Sequence, residues 1–375
     1  AQQHCEQLTE QGLVNDAYTD VAGVLCDRAA NLIQSGEQAR ISKAMGMLKR
    51  AKFMAERAYR PSHLLLDSLN SNLAVAIMAL PLPDLEHAHD LAKSAVRTGD
   101  AMEALTTGVR SQGSRLTRST LERSGHAKSL AGLAHISVKL EHIKEALDAA
   151  HRAHVTLHQT SEGVCAAAQH SPIDSARLIM SLASTHWLAA KTLRGPDALQ
   201  QAQNEFKVAV ARLEEGVSLL KAAGLRKTHP DYVVCTINRL ALRRILFSLS
   251  IATVSPAAPS VRAMLALSNE HLGEQMQFNK EMRTCKANFT VLKERSSSDN
   301  QLVKQLQQSL KFACSEVSLS NAAAILSNMP SPVELPVLRY GIGLIDVMSS
   351  LQRHGKLPKK EDDKTGKTNS AGKTS

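Results

Sequence analysis

Two patterns of small residues alternate along the chain and constrain its fold more than any other feature. Leu-Ala pairs recur at positions 73/74, 133/134, 182/183 and 240/241. Alanines seven residues apart alternate with them, at 44/51, 88/95, 146/153 and 202/209. Seven residues make two turns of an α-helix, so each alanine pair shares one helix face. The alternation predicts helical hairpins in which small side chains let each helix nest against its partner and against the next hairpin.

The residues around these pairs follow the 3.6-residue helical period in nearly every segment. Apolar residues make up 43% of the 375 residues, whereas aromatic residues make up only 3%. The apolar mass is therefore Ala, Leu, Val, Ile and Met, and Ala, Leu and Met are good helix formers. We predict an all-α fold of stacked antiparallel helix pairs.

One unit, residues 130–154, resembles the tetratricopeptide repeat (TPR) family. Its large and small residues stand where that family's motif has its packing residues, at Leu130, Leu133, Ala134, Ala146 and Ala153. The family's turn glycine is missing, and the spacing between units is wider than the family's 34 residues. A second stretch, "THPDYVVCTINRLALRRIL" (228–246), is similar to the long-repeat variety found in kinesin light chains.

This resemblance covers about residues 20–290. It implies a TPR-like right-handed α-solenoid that binds partner proteins and carries out no chemistry of its own. We therefore assign residues 1–293 to a TPR-like repeat domain and residues 294–356 to C-terminal helices that cap the solenoid. Three prolines in "MPSPVELP" (329–336) interrupt those last helices. The polar tail 357–375 cannot bury enough apolar area to fold, and we predict that it is disordered.

The resemblance also implies a binding groove lined by the first helix of each pair. In the family, Asn and Arg side chains of this groove donate hydrogen bonds to a bound peptide main chain. The candidates for partner binding here are Asn70, Asn238, Arg239 and Arg243. The predicted function is a non-catalytic scaffold or assembly subunit of a larger multiprotein complex, which binds a peptide or helix of another protein subunit.

The alternative function is an RNA-associated subunit of an organellar ribosome or RNA-processing complex. The chain carries a net charge of +10, which suits an anionic partner. Basic side chains that could contact phosphate or an acidic partner are Arg110, Arg115, Arg118, Arg123 and Arg244. Aromatic residues that would stack on unpaired bases are nearly absent near these positions, which weakens the RNA interpretation.

Motifs of catalysis and metal binding receive little support. HExxH, GxSxG and a GxGxxG after a strand do not occur, and Gly372-Lys373-Thr374 lacks the preceding glycine of a phosphate-binding loop. His151, His154 and His158 share a helix face, which is a possible zinc arrangement, but no carboxylate lies on that face to orient them. We predict no enzyme activity, no metal, no cofactor and no small-molecule substrate.

The remaining features concern location. The six cysteines are widely spaced and form no CxxC, which favours reduced thiols in an intracellular compartment. No run of eighteen apolar residues occurs, so we predict no membrane span. The chain starts at Ala1 rather than Met, which fits either removal of a targeting segment or a trimmed N-terminus. Mitochondrial matrix is the compartment compatible with the first of these and with the basic charge.

Overall fold

The computed structural model describes residues 15–57, 63–108, 116–158, 171–194, 197–253, 269–296, 300–315 and 322–339. These residues form twelve α-helices and no strand. The helices are α1 Asn15–Gln34, α2 Gln38–Arg57, α3 His63–Met78, α4 Leu85–Gly108, α5 Leu116–Lys139, α6 Ile143–His158, α7 Pro172–Thr192, α8 Ala198–Ala222, α9 Pro230–Thr253, α10 Asn269–Glu294, α11 Gln301–Cys314 and α12 Ala322–Asn328.

Consecutive helices pack as hairpins, and consecutive hairpins pack on one another. The pairs α1–α2, α3–α4, α5–α6 and α7–α8 form the most extensive contacts. Each second helix also packs on the first helix of the next pair, as α2 does on α3 and α8 on α9. First helices contact each other in order, α1 with α3, α3 with α5, and α5 with α7. The predicted all-α solenoid is therefore confirmed.

The small residues that predicted the hairpins lie at the helix contacts. All eight alanines of the seven-residue pairs are fully buried, including those of α2 (44 and 51) and α8 (202 and 209). Both members of every Leu-Ala pair are also buried, with 6% exposure or less. A methyl group at such a contact lets two helix backbones approach closely. Larger side chains at these sites would force the helices apart.

The turn between α5 and α6 is made by a residue other than glycine. Glu141 adopts a left-handed backbone conformation with φ of 62°. His142 N–H donates to the Ser137 carbonyl at 2.8 Å, which closes the end of α5. Gly36 and Gly224, each with φ of 71°, occupy the same conformation after α1 and α8. A non-glycine residue pays a conformational cost in this position that glycine avoids.

The helices that follow α10 pack back on α9. Helices α11 and α12 both pack on α9, and the Asn300 side chain caps α11 by accepting from the Leu302 and Val303 amides at 3.0 and 3.4 Å. Residues 329–339 follow α12 and adopt neither helix nor strand. They run across the first helices of four hairpins. No helix among the described residues is long and apolar enough to cross a membrane.

A candidate peptide-binding groove on the first helices

The face of the solenoid formed by the first helices holds the chain's own residues 329–339. We call these residues the C-terminal segment, and we call the surface that contacts them the first-helix groove. The groove is formed by Asp67 and Asn72 of α3, Ser129, His135 and Lys139 of α5, Lys191 of α7 and Asn238 of α9. The segment thus contacts the first helices of four successive hairpins.

At one end of the groove, Asn238 holds the main chain of Val333. Its Nδ2 donates to the Val333 carbonyl at 2.7 Å, and the Val333 N–H donates to its Oδ1 at 3.0 Å. Asn238 is 1% exposed, so both hydrogen bonds are shielded from water. A carboxamide matches the donor and the acceptor of one peptide residue whatever that residue's side chain is. This contact therefore recognises an extended main chain.

At the other end, Asn72 repeats the same arrangement on Arg339. Its Nδ2 donates to the Arg339 carbonyl at 3.1 Å, and the Arg339 N–H donates to its Oδ1 at 3.0 Å. Asn72 is fully buried. The two clamped residues are six positions apart along the segment, while the two asparagines lie on the first helices of the second and fifth hairpins. The groove thus binds the main chain of an extended segment at two positions, Val333 and Arg339.

The Arg339 side chain enters a buried polar pocket. Its Nη1 forms an ion pair with Asp67 and donates to Ser129 Oγ at 3.2 Å, and Ser129 Oγ donates to Asp67 Oδ1 at 3.0 Å. The side chains of Arg339 and Asp67 are 4% and 3% exposed. The pocket fits closely, because a methyl group added at Gly125 would stand 2.8 Å from the guanidinium carbon. This pocket holds a basic side chain against a buried carboxylate.

Glu334 meets two basic groups of α5. Its Oε2 lies 3.3 Å from His135 Nε2 and 3.6 Å from Lys139 Nζ. Burial by itself would raise the pKa of the Glu334 carboxyl, but the charges and hydrogen bonds of His135 and Lys139 outweigh burial and lower the pKa to about 2. Glu334 is half-buried, so solvent screens part of this attraction. The middle of the groove favours an acidic side chain.

Apolar side chains of the segment join the core on both sides. Leu338 packs into the hydrophobic cluster built mainly by α1 to α6, and Met329 and Val333 pack into the cluster built by α7 to α12. All three are buried. Lys191 Nζ donates to the Met329 carbonyl at 3.4 Å where the segment leaves α12.

The four candidates for partner binding lie in different surroundings. Asn238 is one of the two clamps. Asn70 is buried outside the groove, where its Nδ2 donates to Ser94 Oγ of α4 at 3.4 Å. Arg239 and Arg243 both pair with Glu281 of α10, at 2.8 and 3.3 Å.

The candidates for phosphate or acidic-partner contact are only partly described. Arg110 and Arg115 lie outside the described residues, and so does the side chain of Arg118. Arg123 is half-buried on α5. Arg244 is buried, and its Nη2 donates to the Ser315 carbonyl after α11. The described arginines of α9 therefore bind groups of this chain.

Sequence reasoning missed Asn72, which stands only two positions from the candidate Asn70. A signal existed, because Asp67, Asn70 and Asn72 are strongly polar residues in a helix whose other residues are mostly apolar or small. Buried polar groups need hydrogen-bond partners, so such residues indicate a polar contact with another segment.

A histidine cluster joins α6 to α8. His154 Nε2 lies 3.1 Å from Glu215 Oε2, and His158 Nε2 lies 2.5 Å from Glu215 Oε1. Burial would raise the pKa of the Glu215 carboxyl, but hydrogen bonds to the two histidines lower it to about 2. The carboxylate absent from the helix face of these histidines thus comes from the next hairpin. Arg212 Nη1 lies 2.6 Å from His154 Nε2, so the guanidinium contacts a nitrogen that would otherwise be free to bind a metal.

A second cluster joins α4 to the end of α5 and the start of α6. His89 Nε2 lies 2.9 Å from Glu145 Oε2 and 3.2 Å from Ser137 Oγ. A catalytic triad requires the serine and the carboxylate on opposite imidazole nitrogens, whereas here both contact Nε2. Lys93 Nζ lies 3.0 Å from Glu145 Oε1 and neutralises the carboxylate. Both histidine clusters are consistent with ion-pair networks between neighbouring hairpins.

Three cysteines lie in the core. Burial raises the pKa of the Cys26, Cys235 and Cys285 thiols to about 12. A thiol is nucleophilic as its thiolate, so these buried groups are unreactive at neutral pH.

Comparison with known proteins adds no relative to this picture. No protein-family model matches the chain, and no curated protein matches it.

Proposed function

We propose that this protein is a non-catalytic scaffold that binds an extended segment of a partner protein in the first-helix groove, as a subunit of a larger multiprotein complex. The observation that carries the proposal is the double clamp, in which Asn72 and Asn238 each bind both main-chain groups of one residue in the groove. The partner is another protein subunit, and an intracellular location, in the mitochondrial matrix or in another compartment, forms part of this proposal.

The two kinds of contact in the groove have different roles, since one provides affinity and the other provides specificity. Main-chain hydrogen bonds bind any extended segment, and side-chain pockets choose among segments. The Asp67–Ser129 pocket accepts a basic side chain, and the His135–Lys139 pair accepts an acidic one. A groove built in this way recognises a short linear motif without changing it chemically.

RNA binding has weaker support. A phosphate-binding surface needs basic groups directed to solvent, but Arg239 and Arg243 are shared with Glu281 and Arg244 binds a main-chain carbonyl. The basic stretch before α5 lies largely outside the described residues. Binding of RNA is therefore the competing outcome of the partner purification.

The test is purification of the tagged full chain from its own cells after nuclease treatment. We expect a protein partner in stoichiometric amount, and we expect the Asn72→Ala/Asn238→Ala double variant to recover it at least about tenfold less, since each lost buried hydrogen-bond partner costs roughly 1–3 kcal/mol. Asn204→Ala is the matched control, because Asn204 is exposed on the second helix α8.

Two outcomes would reject the proposal. If the double variant and the control recover equal amounts of the partner, the partner binds outside the first-helix groove. Loss of the partner after nuclease treatment, with RNA binding that weakens steeply as salt rises, would instead favour the RNA-associated function.

A further inference from the structure

We infer that residues 329–339 are an internal ligand that competes with the partner for the first-helix groove, and that the partner's segment carries the same pattern of side chains. This inference rests on the proposed function and adds to it the regulation of the groove and the chemistry of its partner.

The hydrogen bonds of the segment are those of a docked peptide. Among the described residues, its main chain bonds to the side chains of Asn72, Lys191 and Asn238, and to no other main chain. Helices and strands gain their cooperativity from main-chain ladders, and this segment has none. It can therefore leave the groove without breaking a hydrogen bond between main-chain groups of the hairpins.

Three prolines favour the extended conformation in which the segment is bound. Pro330, Pro332 and Pro336 have no N–H to satisfy, and they bias the segment and the residues before them towards extended backbone. A chain that is already extended loses less conformational entropy on docking. The same residues that prevent a helix here thus favour a bound, extended ligand.

The pockets define what an external competitor must look like. Two apolar–charged pairs, Val333–Glu334 and Leu338–Arg339, are five positions apart in the segment. In each pair the apolar side chain enters the core, and the charged side chain meets an opposite charge of the groove. A partner segment that replaces it needs an acidic residue and, five positions later, a basic residue, each preceded by an apolar residue.

Release of the segment is compatible with its buried ion pair. When the segment leaves, Arg339 and Asp67 both regain hydration, which offsets much of their lost attraction. A partner that brings its own basic residue restores the pair. The exchange of one ligand for the other therefore leaves no charge buried without a counter-charge.

The experiment measures binding of a fluorescent peptide, MPSPVELPVLR (residues 329–339), to the full chain by anisotropy. Wild type is compared with Arg339→Ala, which loosens the internal copy and leaves the groove residues intact, and with Glu334→Ala as a milder second variant. If the internal ligand occupies the groove nine-tenths of the time, its loosening raises the apparent affinity of the added peptide about tenfold. Gln308→Ala, an exposed change on α11, is the control and should match wild type.

Adding Asn72→Ala and Asn238→Ala to the Arg339→Ala chain should abolish the gain, because the added peptide then loses both clamps. Unlabelled peptide should also speed amide exchange at Val333 and Arg339 of the wild-type chain as it displaces the internal copy. Equal affinity for wild type and Arg339→Ala, or unchanged exchange at both amides, would overturn the internal ligand. The proposed function would still stand if partner recovery depends on the two asparagines, so the two failures are distinguishable.

Discussion

The two ends of the first-helix groove use the same hydrogen-bonding group for different recognition. At the α9 end, Asn238 clamps Val333, whose side chain packs into the core. At the α3 end, Asn72 clamps Arg339, whose side chain is buried against Asp67 and Ser129. Both ends thus bind the main chain in the same way. Only the α3 end also holds a charged side chain in a fully buried pocket. Amide exchange at Val333 and Arg339 reports each end separately.

The largest expected effect comes from Asp67→Ala, which breaks the α3 end alone. Removing one partner of a buried ion pair costs about 3–5 kcal/mol, because the other charge stays buried without compensation. The Arg339 end of the segment should detach to relieve this cost. We expect amide exchange of Arg339 to accelerate at least about a hundredfold, with Val333 affected much less.

Asp90→Ala, an exposed change on α4, serves as the control for Asp67→Ala and should leave both amides protected. Equal acceleration at Val333 and Arg339 would show that the segment docks as one cooperative unit, and the two ends would then not be independent.

Asn238→Ala tests the α9 end in the same way. Loss of the carboxamide leaves the Val333 N–H and carbonyl without partners, at a cost of roughly 1–3 kcal/mol. Asn238→Asp should also be harmful, since a carboxylate can accept from the N–H but repels the carbonyl oxygen. Exchange at Val333 should accelerate in both variants while Arg339 stays protected. Protection of Val333 in Asn238→Asp as strong as in wild type would mean that the carbonyl bond is not needed.

Lowering the pH tests the contacts of Glu334 in the middle of the first-helix groove. The pKa of Glu334 lies below its usual value, at about 2, so its ionised form stabilises the docked segment above about pH 4.5, and this contribution is lost as pH falls towards 2. Because the carboxylate is half-exposed, we expect about 1 kcal/mol or less. Thermal unfolding of wild type and Glu334→Gln from pH 7 to pH 3 isolates this contribution from that of Glu215. The stability gap between them should narrow as the pH falls to 3, and a gap that widens there would contradict the assignment.

Gly125→Ala is the smallest change and acts only at the α3 end. The added methyl group meets the Arg339 guanidinium, while alanine itself favours helix α5 by up to about 1 kcal/mol. We expect faster exchange at Arg339 with little loss of thermal stability. Gly132→Ala on the same helix is the control, because nothing lies within 4 Å of its new methyl group. Faster exchange at Arg339 in the control would refute the steric explanation.

Local patterns predicted the hairpins, but not what fills the groove. The Leu-Ala and alanine pairs depend on contacts within a helix or with its immediate neighbours, and their burial follows from helical period alone. The prolines at 330, 332 and 336 likewise predicted that helix stops there. Where the extended residues go is a different problem, because Asn72 and Arg339 are 267 positions apart.

The same limit applies to charged residues. Arg239 is a candidate for partner binding by sequence, and in the structure it pairs with Glu281, which lies 42 positions away on α10. Glu215 reaches His154 across 61 positions. Periodicity shows which face of a helix a residue lies on, and gives no information on which later hairpin will supply its counter-charge.

The segment also joins parts of the solenoid that are not neighbours. In a stack of hairpins, each hairpin contacts only its immediate neighbours, so the stack can lengthen or shorten along its axis. Six extended residues between the two asparagines span at most about 20 Å and resist separation of α3 from α9. Pulling α3 away from α9 would therefore load the two carboxamide clamps, and this part of the protein would become more compliant once the segment is released.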